Sequence, residues 1–150
     1  MMDEVTYKAV NRARVSLTHG EKTFVVFSET KLLHYSGKHR VEPFLDAIEN
    51  NPSMLEGAII GDRIVGRAAA LLCVYSKVKA VFAISISDEA IGILDKHNIL
   101  ATWQDTVPYI VEKDLSSRYR LDVHLKDIED PKQAFIMIKK YEAGRHEEFE

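Results

Sequence analysis

The run Ala68-Ala69-Ala70-Leu71-Leu72-Cys73-Val74 has no polar residue on any face. A helix that is apolar all round must be covered all round. The segment therefore predicts a central buried helix over residues 64–75, and its alanines predict a close approach to a sheet. Ala80-Val81-Phe82-Ala83-Ile84 follows and is equally uninterrupted. A strand apolar on both faces sits mid-sheet between two helical layers. Together the two segments call for a layered α/β core.

The remaining segments supply the layers. Asp3 is placed to cap a helix running to about Leu17, with Gly20 as its stop. Thr23–Phe27 and Leu32–Tyr35 read as a hairpin. A second helix covers about 41–49, with Pro43 in its first turn and Asn50-Asn51-Pro52 at its end. A short strand over 57–61 is expected to turn at Gly61-Asp62. Ser87 caps a helix to about His97, with Asp88 and Glu89 in its first turn and Asn98 as a left-handed stop. A short strand near 101–103 leads to a turn or short helix at Val107-Pro108. Tyr119, Leu121, Val123 and Leu125 alternate with Arg118, Arg120, Asp122 and His124. That alternation predicts a half-buried strand near an edge. Asp130-Pro131 opens the last helix, with Ala134, Phe135, Ile138 and Tyr141 inward. Residues 143–150 are polar and expected to fray. With no repeat and no linker, the order predicts one domain over 1–150, a three-layer α/β/α sandwich on a mixed sheet.

Composition removes several function classes. A chain of 150 residues can bury a full core. No apolar run is long enough to span a bilayer, so no membrane role is expected. The opening Met1-Met2-Asp3-Glu4 is acidic, with no apolar leader region. Cys73 is the only cysteine, which rules out an internal disulfide and makes the cytoplasm the expected location. The net charge of -3 argues against a dedicated nucleic-acid binder. The basic pairs Arg12/Arg14, Lys38/Arg40 and Arg118/Arg120 read as solvated surface.

Motifs for catalysis are missing. The histidines are scattered, whereas a metal site needs three or four convergent ligands, so no metal or cofactor is expected. Ser36, Ser85 and Ser87 lack a nucleophile elbow. Gly61-x4-Gly66-Arg67-Ala68 has the glycine spacing of a phosphate loop but lacks its Lys and its Ser/Thr. A softer reading keeps the helix start at Gly66 and Arg67 as an anion site. Free backbone N–H groups attract anions, and a guanidinium makes paired bonds to phosphate or carboxylate. The start at Ser87 should lie beside it, although Asp88 and Glu89 satisfy that end themselves. The candidate ligand-binding residues are Asp62, Gly66, Arg67, Ser87, Asp88 and Asp122. The competing reading gives Arg67 a structural pairing with Asp62 or Asp122.

The stretch Gly61-Asp62-Arg63-Ile64-Val65-Gly66-Arg67-Ala68-Ala69-Ala70-Leu71-Leu72 resembles an uncharacterised bacterial family with the cytidine deaminase-like fold. Asp127-Ile128-Glu129-Asp130-Pro131-Lys132-Gln133-Ala134 resembles the same family, and the likeness runs from about Leu55 onward. Enzymes of that fold carry His-x-Glu on one helix and Pro-Cys-x-x-Cys on the next; the His and both Cys hold zinc, and the Glu shuttles protons. Those motifs would fall on Arg67-Ala68-Ala69 and on Ile86 to Ala90. The ligand position is then Arg67, the proton-shuttle position Ala69, and the cysteine positions Ser87 and Ala90. Arg stays protonated and cannot ligate a metal. Ala carries no acid, and one cysteine cannot supply two thiolates. The resemblance also implies a Cys-Pro-Met-Glu stretch, where this chain reads Tyr119-Arg120-Leu121-Asp122 and keeps only the acid.

The expectation is a catalytically silent deaminase-like domain, with no catalytic residue, that binds a small anionic ligand or nucleotide at Gly66/Arg67. A structural or interaction protein with a vestigial cleft is the alternative. A metal-free enzyme using Asp62, Asp122 or Cys73 comes third. The resemblance further implies a homo-oligomer.

Overall fold

The computed structural model describes residues 2–115 and 117–149. Asp3 does cap the first helix, α1 (Glu4–Thr18): its side chain accepts the Thr6 N–H at 2.7 Å. Gly20, at φ 73°, turns the chain after it. A hairpin follows, β1 (Phe24–Phe27) and β2 (Leu32–Ser36), and then α2 (Glu42–Asn50) and the single turn α3 (Pro52–Leu55). The rest alternates: β3 (Ile59–Val65), α4 (Arg67–Ser76), β4 (Ala80–Ser87), α5 (Asp88–Lys96) and β5 (Leu100–Val107). A short α6 (Arg120–His124) and a long α7 (Pro131–Phe149) complete the order.

The five strands lie in the order β2-β1-β3-β4-β5. β1 is antiparallel to both its neighbours, and β3, β4 and β5 are parallel. The sheet is therefore mixed, and helices cover both its faces. On one face α1 stands alone. Ala9, Val10, Ala13 and Leu17 pack on Val25, Phe27, Ile59, Ala80 and Phe82. On the other face α2, α4, α5, α6 and α7 share one continuous core with Phe24, Ile60, Val81 and Ala83. This is the three-layer α/β/α arrangement expected from the apolar segments.

The central helix is as buried as its composition demands: every residue from Arg67 to Cys73 is buried. Its start differs from expectation. There is no turn at Gly61-Asp62, because β3 runs on to Val65 and the helix begins at Arg67. Gly61 is a packing glycine. A Cβ there would lie 2.7 Å from Val25 Cγ2 and 3.1 Å from Ala13 Cβ, so its absence lets α1 lie close to the sheet.

Four further elements differ. β4 and β5 extend well past the apolar runs that mark them, because pairing with a neighbour holds polar residues such as Asp105 in register. The expected strand over 119–125 is helical. Leu121 and Leu125 are both fully buried, a spacing of four that suits one helix face, while Val123 is 45% exposed. The last helix stays helical to Phe149, beyond the tail expected from residue 143, and Glu150 lies outside the described residues. Among the described residues no helix is long and apolar enough to cross a membrane.

Candidate functional site

The parallel strands β3 and β4 deliver the starts of α4 and α5 to the same edge of the sheet. Gly66 is the N-cap of α4 in extended conformation, with no capping side chain of its own. The cap comes from far along the chain: Asp122 Oδ1 on α6 accepts the Ala68 N–H at 2.9 Å. Gly66 is required by that arrangement. A Cβ there would sit 2.2 Å from Asp122 Oδ2 and 2.7 Å from Ile110 Cγ1.

Two expectations are corrected here. The end of α4 does attract an anion, but the anion is the protein's own carboxylate, so an outside one is displaced from that position. Nor does Arg67 face a cleft. Its Nε donates to the Leu125 carbonyl at 2.6 Å and its Nη2 to the Ile128 carbonyl at 2.6 Å. Nη1 bonds Glu89 Oε1 at 2.7 Å. The ion-pair partner of Arg67 is thus Glu89, in place of Asp62 or Asp122. This buried guanidinium pins α4 to α5 and to the chain between α6 and α7.

The remaining candidates divide. Ser87 caps α5 by accepting the Ala90 N–H, and it lines a small cavity of about 130 Å³ with Glu89, Arg118, Asp122 and Lys126. Asp88 is exposed in the first turn of α5 and lines no cavity described here. Asp62 and Asp122, with Gly66, meet at a larger cavity of about 300 Å³. Ala69, at the proton-shuttle position of the resemblance, is on its wall. Among the described residues no group of three His, Cys, Asp or Glu is placed to hold a metal ion.

The larger cavity has a graded lining. Asp62, only 6% exposed, and Tyr119, 8% exposed, belong to its buried part, with Asp122 half-buried beside them. Val41, Ile110 and Ala69 give it apolar walls. Lys38, His39, Arg40 and Lys113 are exposed and form the mouth. Lys38 is shared with Asp46 at 2.8 Å.

The electrostatics follow from burial. Desolvation holds the Asp62 carboxyl well above the usual carboxylate range, against the pull of the Ile64 and Arg63 backbone N–H groups. Desolvation also pushes Asp122 up to about 6. The Ala68 N–H opposes that rise, Glu89 adds to it, and Arg67 opposes it. The Tyr119 phenol is raised by burial first and then by Glu142 and Asp122. Cys73 is buried in α4, and burial and the Asp62 charge raise its thiol, so it stays protonated and inert.

Sequence reasoning singled out Asp62 and Asp122 but read the mouth as solvated surface. Lys38 and Arg40 precede α2, and Lys113 lies between β5 and α6. The adjacent basic pair was the available signal, but nothing in the sequence placed it opposite Asp62.

A family model described as "Domain of unknown function (DUF1893)" matches residues 12–141. A crystal structure of a DUF1893 family protein from Thermotoga maritima superposes with a TM-score of 0.83 at 17% identity. It covers 94% of this chain and 92% of its own. The Acinetobacter baumannii RibD structure gives a TM-score of 0.45 at 16% identity, covering 81% of this chain and 39% of that one. No curated protein matches. The family match extends from α1 into α7, and the chain therefore belongs to the DUF1893 family, a domain of unknown function.

Proposed function

We propose that this chain is a deaminase-like domain without zinc chemistry that binds a small anionic ligand, a nucleotide being the best-fitting class. The deaminase-like part is supported by where the helices begin. α4 and α5 start at Arg67 and Asp88, beside the residues on which the two zinc motifs would fall. Arg67 and Ala69 supply neither ligand nor proton shuttle, which supports a binding role over a catalytic one. The lone buried Cys73 suits a reducing cytoplasm.

The observation that carries the binding reading is the cavity of about 300 Å³ beside Gly66. It has the makeup of a ligand site: mostly apolar walls, a few convergent polar groups and buried acids with raised pKa. The ligand's anionic group is assigned to Arg40 and Lys113 at the mouth, because Asp122 already holds the end of α4.

Calorimetry with nucleoside 5′-monophosphates, the matching nucleosides and inorganic phosphate tests the reading. The monophosphates should bind, and tighter than the nucleosides. Arg40→Ala combined with Lys113→Ala should weaken them tenfold or more, since charge-assisted hydrogen bonds are worth about 1.5–3 kcal/mol each. Absence of binding, or a double variant that binds like the parent, would falsify it.

One observation favours a second reading. Arg67 is fully committed to carbonyls and to Glu89, as in a scaffold with a vestigial cleft. An interaction protein of this kind should self-associate in sedimentation experiments and leave every small probe unbound.

A further inference from the structure

We propose that the inner end of the cavity recognises a head with adjacent N–H donors (an amidine, a guanidine or a guanine-type edge) through the Asp62 carboxyl. The inference rests on the cavity being a ligand site and adds which end of the ligand enters first.

Asp62 sits in β3, the middle strand of the sheet, and is 6% exposed while lining the cavity. Among the described residues no side-chain donor and no cation reaches it. Its neighbours are the backbone N–H groups of Ile64 and Arg63. The two guanidiniums closest in sequence are engaged elsewhere. Arg63 donates to the Lys22 carbonyl at 2.8 Å and to the Leu17 carbonyl at 3.3 Å, on the α1 side of the sheet. Arg67 is held by Leu125, Ile128 and Glu89. A buried carboxyl without a counter-ion is costly. The raised pKa of Asp62 expresses that cost, and a donor head entering the cavity would relieve it.

The space in front of Asp62 suits such a head. Ala69 is small and leaves room on the α4 side, while the place of a Gly66 side chain is taken by Asp122 and Ile110. Val41, Ile64 and Ile110 offer apolar surfaces to the faces of a flat group. A carboxylate accepts two parallel bonds from an amidine or guanidine edge, a geometry that a lone amine cannot match. With acid inside and Arg40 and Lys113 outside, the lining also sets orientation: donor head inward, anionic tail at the mouth.

The test uses the whole chain and five probes: benzamidine, benzoate, inorganic phosphate, guanosine 5′-monophosphate and inosine 5′-monophosphate. The two nucleotides share body and tail and differ by one amino group. Benzamidine should bind and benzoate should not. The guanosine nucleotide should bind at least tenfold tighter than the inosine nucleotide, because a site built around a donor rejects the analogue lacking it. Asp62→Asn, checked for folding by circular dichroism, should abolish benzamidine binding and erase the preference between nucleotides, leaving binding through the tail. If phosphate or both nucleotides bind but the paired probes are not distinguished, the inference falls and the cavity remains a ligand site. If none of the five binds, the ligand-site reading fails and takes the inference with it.

Discussion

Arg67 shows how a residue can be conspicuous in sequence and still mislead about its role. Its type and its place at a helix start were legible, and both suggested a phosphate. The partners were not legible, because they are a carboxylate 22 residues away and carbonyls 58 and 61 residues away. Arg67 is 7% exposed, so this is a buried charge with a partner on each of its three nitrogens. Replacing it with an apolar side chain of similar length leaves two buried carbonyls and Glu89 without their donor. Glu89 is 47% exposed and water replaces its donor, so Arg67→Met should cost about 1–3 kcal/mol for each carbonyl left without a partner, read in urea melts. A loss below about 1 kcal/mol would show that the clamp adds little. Gly66 was legible as a special position, but for a different reason. Its missing side chain makes room for Asp122, in place of an incoming phosphate.

At the level of elements, segments with a single consistent signal were read correctly. α1 had its cap and its stop in the sequence. Asp3→Ala removes the acceptor for the Thr6 N–H and should lower the melting midpoint. Thermal melts of the two proteins check this, and equal midpoints would mean that the packing of α1 holds its end unaided. α6 was misread as a strand because Leu121 and Leu125 satisfy both periods, and tertiary contact decided for the helix. The error mattered for the site: only the helix carries Asp122 onto the end of α4. β3 was cut short for a related reason. Gly61 looked like a turn residue, yet what it accommodates is α1, through Ala13 and Leu17 far earlier in the chain.

For the whole molecule, the two buried acids make stability depend on pH in an unusual direction. A carboxyl raised on folding binds a proton more tightly in the native state than in the unfolded one. Its stabilising contribution is thus present at low pH and lost as pH rises through the native pKa. For Asp122, a rise from 3.8 to about 6 corresponds to about 3 kcal/mol, lost between roughly pH 4 and pH 6. Asp122→Asn keeps an acceptor for the Ala68 N–H and removes the titration. Its stability relative to the parent should accordingly improve from pH 4 to pH 8 in urea melts, and a flat difference would sink the assignment. The layered architecture was legible from two apolar segments, because total burial leaves few alternatives. The cavity was not, since its walls come from residues 23–41, 62–69 and 110–122 and exist only once the layers have closed.

The lone helix on one face has a further consequence for how the chain is made. α1 leaves the ribosome well before β4, which shares its core cluster and begins about sixty residues after α1 ends. At about 5–20 residues per second, that interval is roughly 3–12 s. Throughout it, Ala9, Val10, Ala13 and Leu17 lack their completed sheet, and the nascent chain presents an amphipathic helix without its native cover. The half-synthesised domain is therefore less protected than the finished one, and α1 is the segment that waits for its cover.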